Sequence, residues 1–124
     1  MTAPNKRRIL CVDNSSDDCE LLKFVLDDAG YVVETAQTLA DGVRLADRNP
    51  PDLYVLDVSL KDGTGFDLLA KIRAASPNTP VIICSADVRE TTQERAVAAG
   101  AQAFVTKPVN LDDLTETIAQ LLRG

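Results

Sequence analysis

The chain reads as an α/β protein built on one doubly wound, five-stranded parallel sheet. Three observations predict this. Five short, mostly apolar runs, Ile9–Val12, Tyr31–Glu34, Leu53–Leu56, Val81–Cys84 and Ala103–Thr106, are each followed by an amphipathic stretch of helical period. Glycine, proline and asparagine clusters separate the units. Four of the runs are closed by a polar side chain, Asp13, Asp57, Ser85 or Lys107. Alternating strand and helix units require parallel pairing with right-handed crossovers, which puts helices on both faces and gathers all strand C-termini at one edge.

Each element has its own warrant. After Ile9–Val12, a helix is expected from about Ser16 to Ala29, with Leu21, Leu22, Val25, Leu26 and Ala29 on one face and Gly30 as its stop. Tyr31–Glu34 is the second strand. Thr38 with Asp41 reads as a capping box for a helix running to about Asp47 and halted by Asn49-Pro50-Pro51. Leu53–Leu56 is the third strand, and Phe66, Leu69 and Ile72 mark the third helix, which cannot continue through Ser76-Pro77-Asn78-Thr79-Pro80. Val81–Cys84 follows as the fourth strand. A helix from about Thr92 to Ala99 stops at Gly100, Ala103–Thr106 is the fifth strand, and Asn110 caps a last helix striped by Leu111, Leu114, Ile118 and Leu121.

Composition narrows the function. With 124 residues and 45% hydrophobic content, residues 1–124 form one domain with one core. Thirteen basic against nineteen acidic residues give a net charge of -6, which repels nucleic acid and anionic membrane surfaces. Lys6-Arg7-Arg8 reads as a solvated lead-in to the first strand. Histidine is absent, so the commonest general base and metal ligand is missing and any metal must be hard and oxygen-bound. Cys11, Cys19 and Cys84 show no CxxC spacing and read as reduced and structural. No apolar stretch of about twenty residues and no leader pattern at Met1-Thr2-Ala3-Pro4 occurs, which makes the cytoplasm the default location.

In a parallel sheet, Asp13, Asp57, Ser85 and Lys107 would share one edge, where ligands of such sheets bind. Two carboxylates, an ammonium and a hydroxyl there make an ion and phosphate site.

At these residues the sequence resembles the receiver domain of bacterial response regulators, across essentially its whole length. The matching motifs are Ile9-Leu10-Cys11-Val12-Asp13-Asn14, Leu56-Asp57-Val58-Ser59-Leu60 with Asp62-Gly63-Thr64-Gly65, Ser85-Ala86, and Thr106-Lys107-Pro108. The resemblance implies a CheY-like, flavodoxin-like sheet in the order 2-1-3-4-5. It implies Asp57 as phosphoacceptor, Lys107 and Ser85 as its catalytic and switch companions, and Phe104 as the switch aromatic. Asp13, Asn14, Asp57 and the backbone carbonyl of Ser59 would hold Mg²⁺, or Mn²⁺, and the bond from Lys107 to Pro108 would be cis. A sensor histidine kinase or histidine phosphotransfer protein would donate the phosphoryl group. The domain would catalyse its own acylation and hydrolysis without being an enzyme on other substrates. A downstream protein would dock on the face of the fourth helix, fifth strand and fifth helix, with no nucleic acid or membrane partner. Because the chain closes at Gly124, just past its fifth helix, output is expected to travel through that surface.

Departures and rivals bear on this reading. Asn14 stands where the family's second acid belongs, Lys61 where proline is common, and Phe104 lacks a tyrosine hydroxyl. A haloacid-dehalogenase-type phosphatase would want a second aspartate where Ser59 stands. A flavin binder is opposed by the acidic loop Asp13-Asn14-Ser15-Ser16-Asp17-Asp18 and by the lack of tryptophan. A calcium loop over Asp57–Gly63 is opposed by Lys61 at a ligand position. The remaining alternative is a pseudo-receiver, an interaction module working without phosphorylation, and Asn14 is what motivates it.

Overall fold

The computed structural model describes residues 6–123; residues 1–4, read above for a leader, and Gly124 lie outside them. Within the described residues the order is β1 (Arg8–Val12), α1 (Ser16–Asp28), β2 (Val32–Ala36), α2 (Leu39–Arg48), β3 (Leu53–Asp57), β4 (Ser59–Leu60), β5 (Gly63–Thr64), α3 (Gly65–Ala75), β6 (Val81–Ser85), α4 (Glu90–Ala98), β7 (Ala103–Thr106) and α5 (Leu111–Arg123). The five expected strands are β1, β2, β3, β6 and β7. They form one parallel sheet in the order β2-β1-β3-β6-β7, which is the 2-1-3-4-5 order of the resemblance. β4 and β5 make a separate antiparallel ribbon that the sequence reading missed, since two-residue strands carry no readable period.

Both faces of the sheet are covered, which is why the strands read as unbroken apolar runs rather than alternating ones. Leu10, Val12, Tyr54, Leu56, Val81 and Ile83 pack with residues of α2, α3 and α4. Ile9, Cys11, Leu53, Val55, Ile82 and Cys84 pack with α1 and α5 on the other face. α4 buries only Ala96 among its own residues, and the Arg95 guanidinium stacked 4.2 Å above the Phe66 ring adds a second hold onto α3. All three cysteines are free and buried, and burial pushes the Cys84 thiol up to about 12 and that of Cys19 to about 11. Such thiols stay protonated and unreactive near neutral pH, in keeping with a structural role.

Two local expectations need correction. In α1 the buried stripe is Cys19, Leu22 and Leu26, whereas Leu21 is 48% exposed and Ala29 is exposed. The helix is rotated so that the small thiol, not the leucine, faces the sheet. In α2 the Thr38 hydroxyl does accept from the Asp41 N–H at 3.1 Å, but the reciprocal half of a capping box is not formed. The complete box lies at α3, where Thr64 and Asp67 cap each other. Asn110 caps α5 as expected, accepting from the Asp113 N–H at 3.0 Å.

Candidate functional site

The sheet register fixes where the strand-end residues arrive. Val12 of β1 stands beside Leu56 of β3, Asp57 beside Cys84 of β6, and Ser85 beside Thr106 of β7. The ladder then continues into the loops: the Asp13 N–H donates to the Ala36 carbonyl at 2.9 Å, that of Val58 to Cys84 at 3.2 Å, and that of Lys107 to Ser85 at 2.9 Å. Backbone bonds, not side-chain chance, therefore set these four residues at one edge. Behind them, Gly65 lies so close to β3 that a Cβ there would stand 2.3 Å from the Asp57 carbonyl oxygen, a contact only glycine permits.

Asp13 and Asp57 are buried, at 4% and 9% exposure, and both face the same cation. Lys107 Nζ lies 2.8 Å from Asp13 Oδ2, 3.3 Å from Asp57 Oδ2 and 3.3 Å from Asp18 Oδ2. Burial would depress the lysine pKa, but the hydrogen bond to Asp13 and the charges of Asp57 and Asp13 outweigh it and hold the ammonium above its ordinary range. The Asp57 carboxyl is raised, chiefly by burial and next by the charge of Asp13, against the opposing pull of Lys107 and the Ser59 N–H. A carboxylate in that position is destabilised as an anion and gains from any further cation. The peptide bond from Lys107 to Pro108 is cis.

The other expected residues divide. Ser59 is exposed, and its N–H donates to Asp57 Oδ1 at 3.3 Å, which places its backbone beside the carboxylate. Ser85 is 5% exposed at the same edge, but its hydroxyl is occupied with the Asp87 N–H at 2.9 Å and makes no bond to Asp57. Phe104 is partly buried against the α2–α3 side of the core. Asn14 is exposed, and among the described residues no side-chain hydrogen bond holds it.

Asp18 was missed, and it supplies the third carboxylate around Lys107. Ser15 caps α1 by accepting from the Asp18 N–H at 3.2 Å, and this fixes the phase that turns Asp18 inward and leaves Asp17 exposed. An acid five residues after Asp13, one turn past a serine cap, was the available signal. Beside it, a cavity of about 440 Å³ opens between α1 and the loop after β7, lined by Asp18, Leu21, Leu22, Pro108 and Val109.

The donor set suits a small hard cation. All candidate ligands are oxygens, and among the described residues Asp57 Oδ1 carries only the long bond from Ser59, leaving lone pairs for an ion. Among the described residues no cluster of three or more His, Cys, Asp or Glu is arranged to hold a metal. A small hard ion such as Mg²⁺ takes only one or two carboxylates from a protein, with waters and phosphoryl oxygens completing its shell. Among the same residues no helix is long and apolar enough to cross a membrane.

Known proteins share the sequence pattern and the fold. The chain is 36% identical over 119 residues to the response regulator protein PilR of Pseudomonas aeruginosa, covering 96% of this chain and 27% of PilR. It is 34% identical over 115 residues to the transcriptional regulatory protein KdpE of Mycobacterium tuberculosis, covering 93% of this chain and 50% of KdpE. The chain thus spans half or less of these two curated relatives. Among solved structures, a CheY-like response regulator receiver domain protein from Methanospirillum hungatei matches with a TM-score of 0.91 at 31% identity, covering 96% of this chain and 95% of that one. The chemotaxis response regulator CheY4 of Vibrio cholerae matches with a TM-score of 0.88 at 26% identity, covering 94% and 99%. Residues 9–119 match the family described as response regulator receiver domain, and the chain belongs to that family, the phosphoacceptor module of two-component signal transduction.

Proposed function

We propose that Asp57 is the phosphoacceptor of this receiver. A carboxylate oxygen of Asp57 attacks the phosphorus of a phosphohistidine on a sensor kinase or histidine phosphotransfer protein. The P–N bond breaks, its electron pair stays on the imidazole, and an aspartyl phosphate forms. Water later attacks the same phosphorus and returns free phosphate, so the chain turns over its own modification without acting on other substrates. Mg²⁺, with Mn²⁺ as a substitute, would be held by Asp13, Asp57, the Asn14 amide oxygen and the Ser59 carbonyl. When bound it neutralises charge on the transferring group. Lys107 keeps its ammonium beside the acceptor and meets the new dianion as a point charge.

The single observation that carries this reading is the Lys107 ammonium set within 3.3 Å of both buried aspartates. It brings together the cation and the anions that acyl phosphate chemistry requires, and it leaves the pseudo-receiver alternative without support from the site. Transmission would pass through Ser85, whose hydroxyl leaves the Asp87 N–H for the phosphoryl group while Phe104 repacks. The face of α4, β7 and α5 would then meet a downstream protein.

The test is incubation with a small phosphodonor and Mg²⁺ followed by mass measurement. One Mg²⁺-dependent phosphoryl adduct is expected, stable in acid, labile in base and lost in Asp57→Asn. Full labelling of that variant would reassign the acceptor.

A further inference from the structure

The turn between β4 and β5 carries a contact that the acceptor chemistry does not call for. Asp62, at its tip, aims its carboxylate at the start of α2. The Leu39 N–H donates to Oδ1 at 2.7 Å and the Ala40 N–H to Oδ2 at 3.0 Å. These are first-turn amides that a helix cannot pair within itself, and the Thr38 hydroxyl serves only Asp41. The Asp41 carboxylate lies toward Arg44 at 3.3 Å and leaves those amides to Asp62. The same two donors hold the Asp62 carboxyl below its ordinary range.

Its neighbour is fitted to the same place. A Cβ on Gly63 would stand 2.6 Å from Leu39 Cδ2 and 3.0 Å from Asp67 Oδ2, so the turn lies against α2 and any side chain there would have to displace the end of Leu39. At the root of the loop, the Gly65 N–H donates to the Val58 carbonyl at 3.0 Å and the Ser59 N–H to Asp57 Oδ1 at 3.3 Å. Ser59 thus sits in the chain between its own bond to the acceptor and the Asp62 tie to α2.

We infer that Asp62 is a positioning residue for the ion site: it ties the acceptor loop to α2 and so holds the Ser59 backbone in place. The inference rests on the reading of Asp57 and Ser59 given above. Groups that orient a ligand without touching the ion still govern affinity. Coupling of this kind is reciprocal, so an ion at the loop also protects the amides at the start of α2.

The full chain and three variants, Asp62→Ala, Asp62→Asn and Thr38→Ala, are titrated with Mg²⁺ alone, following the amides of residues 58–60 by NMR and hydrogen exchange at Leu39 and Ala40. Asp62→Ala should lose protection at both amides and bind Mg²⁺ roughly tenfold more weakly, the low end for an outer-shell partner. Asp62→Asn keeps one acceptor oxygen and falls between. Thr38→Ala weakens the helix start but keeps the tie, so its Mg²⁺ affinity should equal that of the parent chain. Unchanged affinity in Asp62→Ala, or an equal loss in Thr38→Ala, would overturn the inference by reducing Asp62 to a helix cap. Should Asp62→Ala fail to fold, Asp62→Asn carries the same comparison. A parent chain that neither responds to Mg²⁺ at residues 58–60 nor takes up phosphoryl would overturn the underlying reading, and this inference with it, before any variant is compared.

Discussion

Replacing Lys107 with methionine keeps most of the stem and deletes the charge. At an effective dielectric of about 20, the 2.8 Å contact with Asp13 is worth roughly 6 kcal/mol before desolvation, and the 3.3 Å contact with Asp57 roughly 5. The Asp18 contact adds little, because that side chain is 46% exposed and water screens it. Most of this Coulomb gain is offset by burying the charges, but removing one partner leaves Asp13 and Asp57 uncompensated, which typically costs about 3–5 kcal/mol. Lys107 keeps 20% of its side chain in water, which favours the lower end. At about 4 °C per kcal/mol for a chain of this size, a loss of about 3 kcal/mol lowers Tm by roughly 12 °C. The deficit has a pH signature. Asp57 is already raised in the folded protein, and losing the ammonium raises it further. The folded state then holds more protons than the unfolded chain, so the deficit is small at acidic pH, where the carboxyl is protonated, and grows toward neutral pH as the carboxyl ionises. Mg²⁺ should restore more stability to the variant than to the parent, since it replaces the missing cation. Thermal melts followed by circular dichroism at both pH values, with and without Mg²⁺, test all three points. A deficit of equal size at both pH values would show that lost packing of the lysine stem, not charge, is responsible.

In Asp57→Asn the metal-free protein should melt higher than the parent near neutral pH. The raised Asp57 carboxyl contributes stability that is full below its unfolded pKa and lost as pH rises through the folded value, so the variant's advantage should vanish as pH falls into the carboxylate range. Identical melts at neutral pH would contradict the burial and Asp13 repulsion assigned to it. Asn14→Asp should tighten Mg²⁺ binding severalfold and slightly destabilise the metal-free protein, because it adds a carboxylate beside Asp13. Mg²⁺ titration decides this, and equal affinities would mean that Asp18 already supplies the charge that Asn14 lacks.

What the sequence made legible, and what it did not, divides along a physical line. Asp13, Asp57, Ser85 and Lys107 could be placed together because a parallel sheet brings every strand end to one edge whatever the helices do. Asp18, Asp62 and the exposure of Leu21 depend on how each helix is phased and where its first turn lies, and no apolar period encodes that. Leu21 and Leu22 look equivalent as letters, yet only Leu22 faces the sheet, because Cys19 and Leu26 complete its stripe. The acidic loop from Asp13 to Asp18 shows the same division within six residues. Its charge is countable, but the letters point to Asp17 as the stand-in for the acid missing at Asn14, whereas the structure brings Asp18 to Lys107 and leaves Asp17 exposed. The choice between them is made by Ser15: its hydroxyl takes the Asp18 N–H, its N–H donates to Asp13 Oδ1 at 2.9 Å, and the helix is thereby locked to the strand end with Asp18 turned toward Lys107. A single cap thus decides which carboxylate joins the pocket, and reading a site of this kind from sequence requires locating the cap before counting the charges.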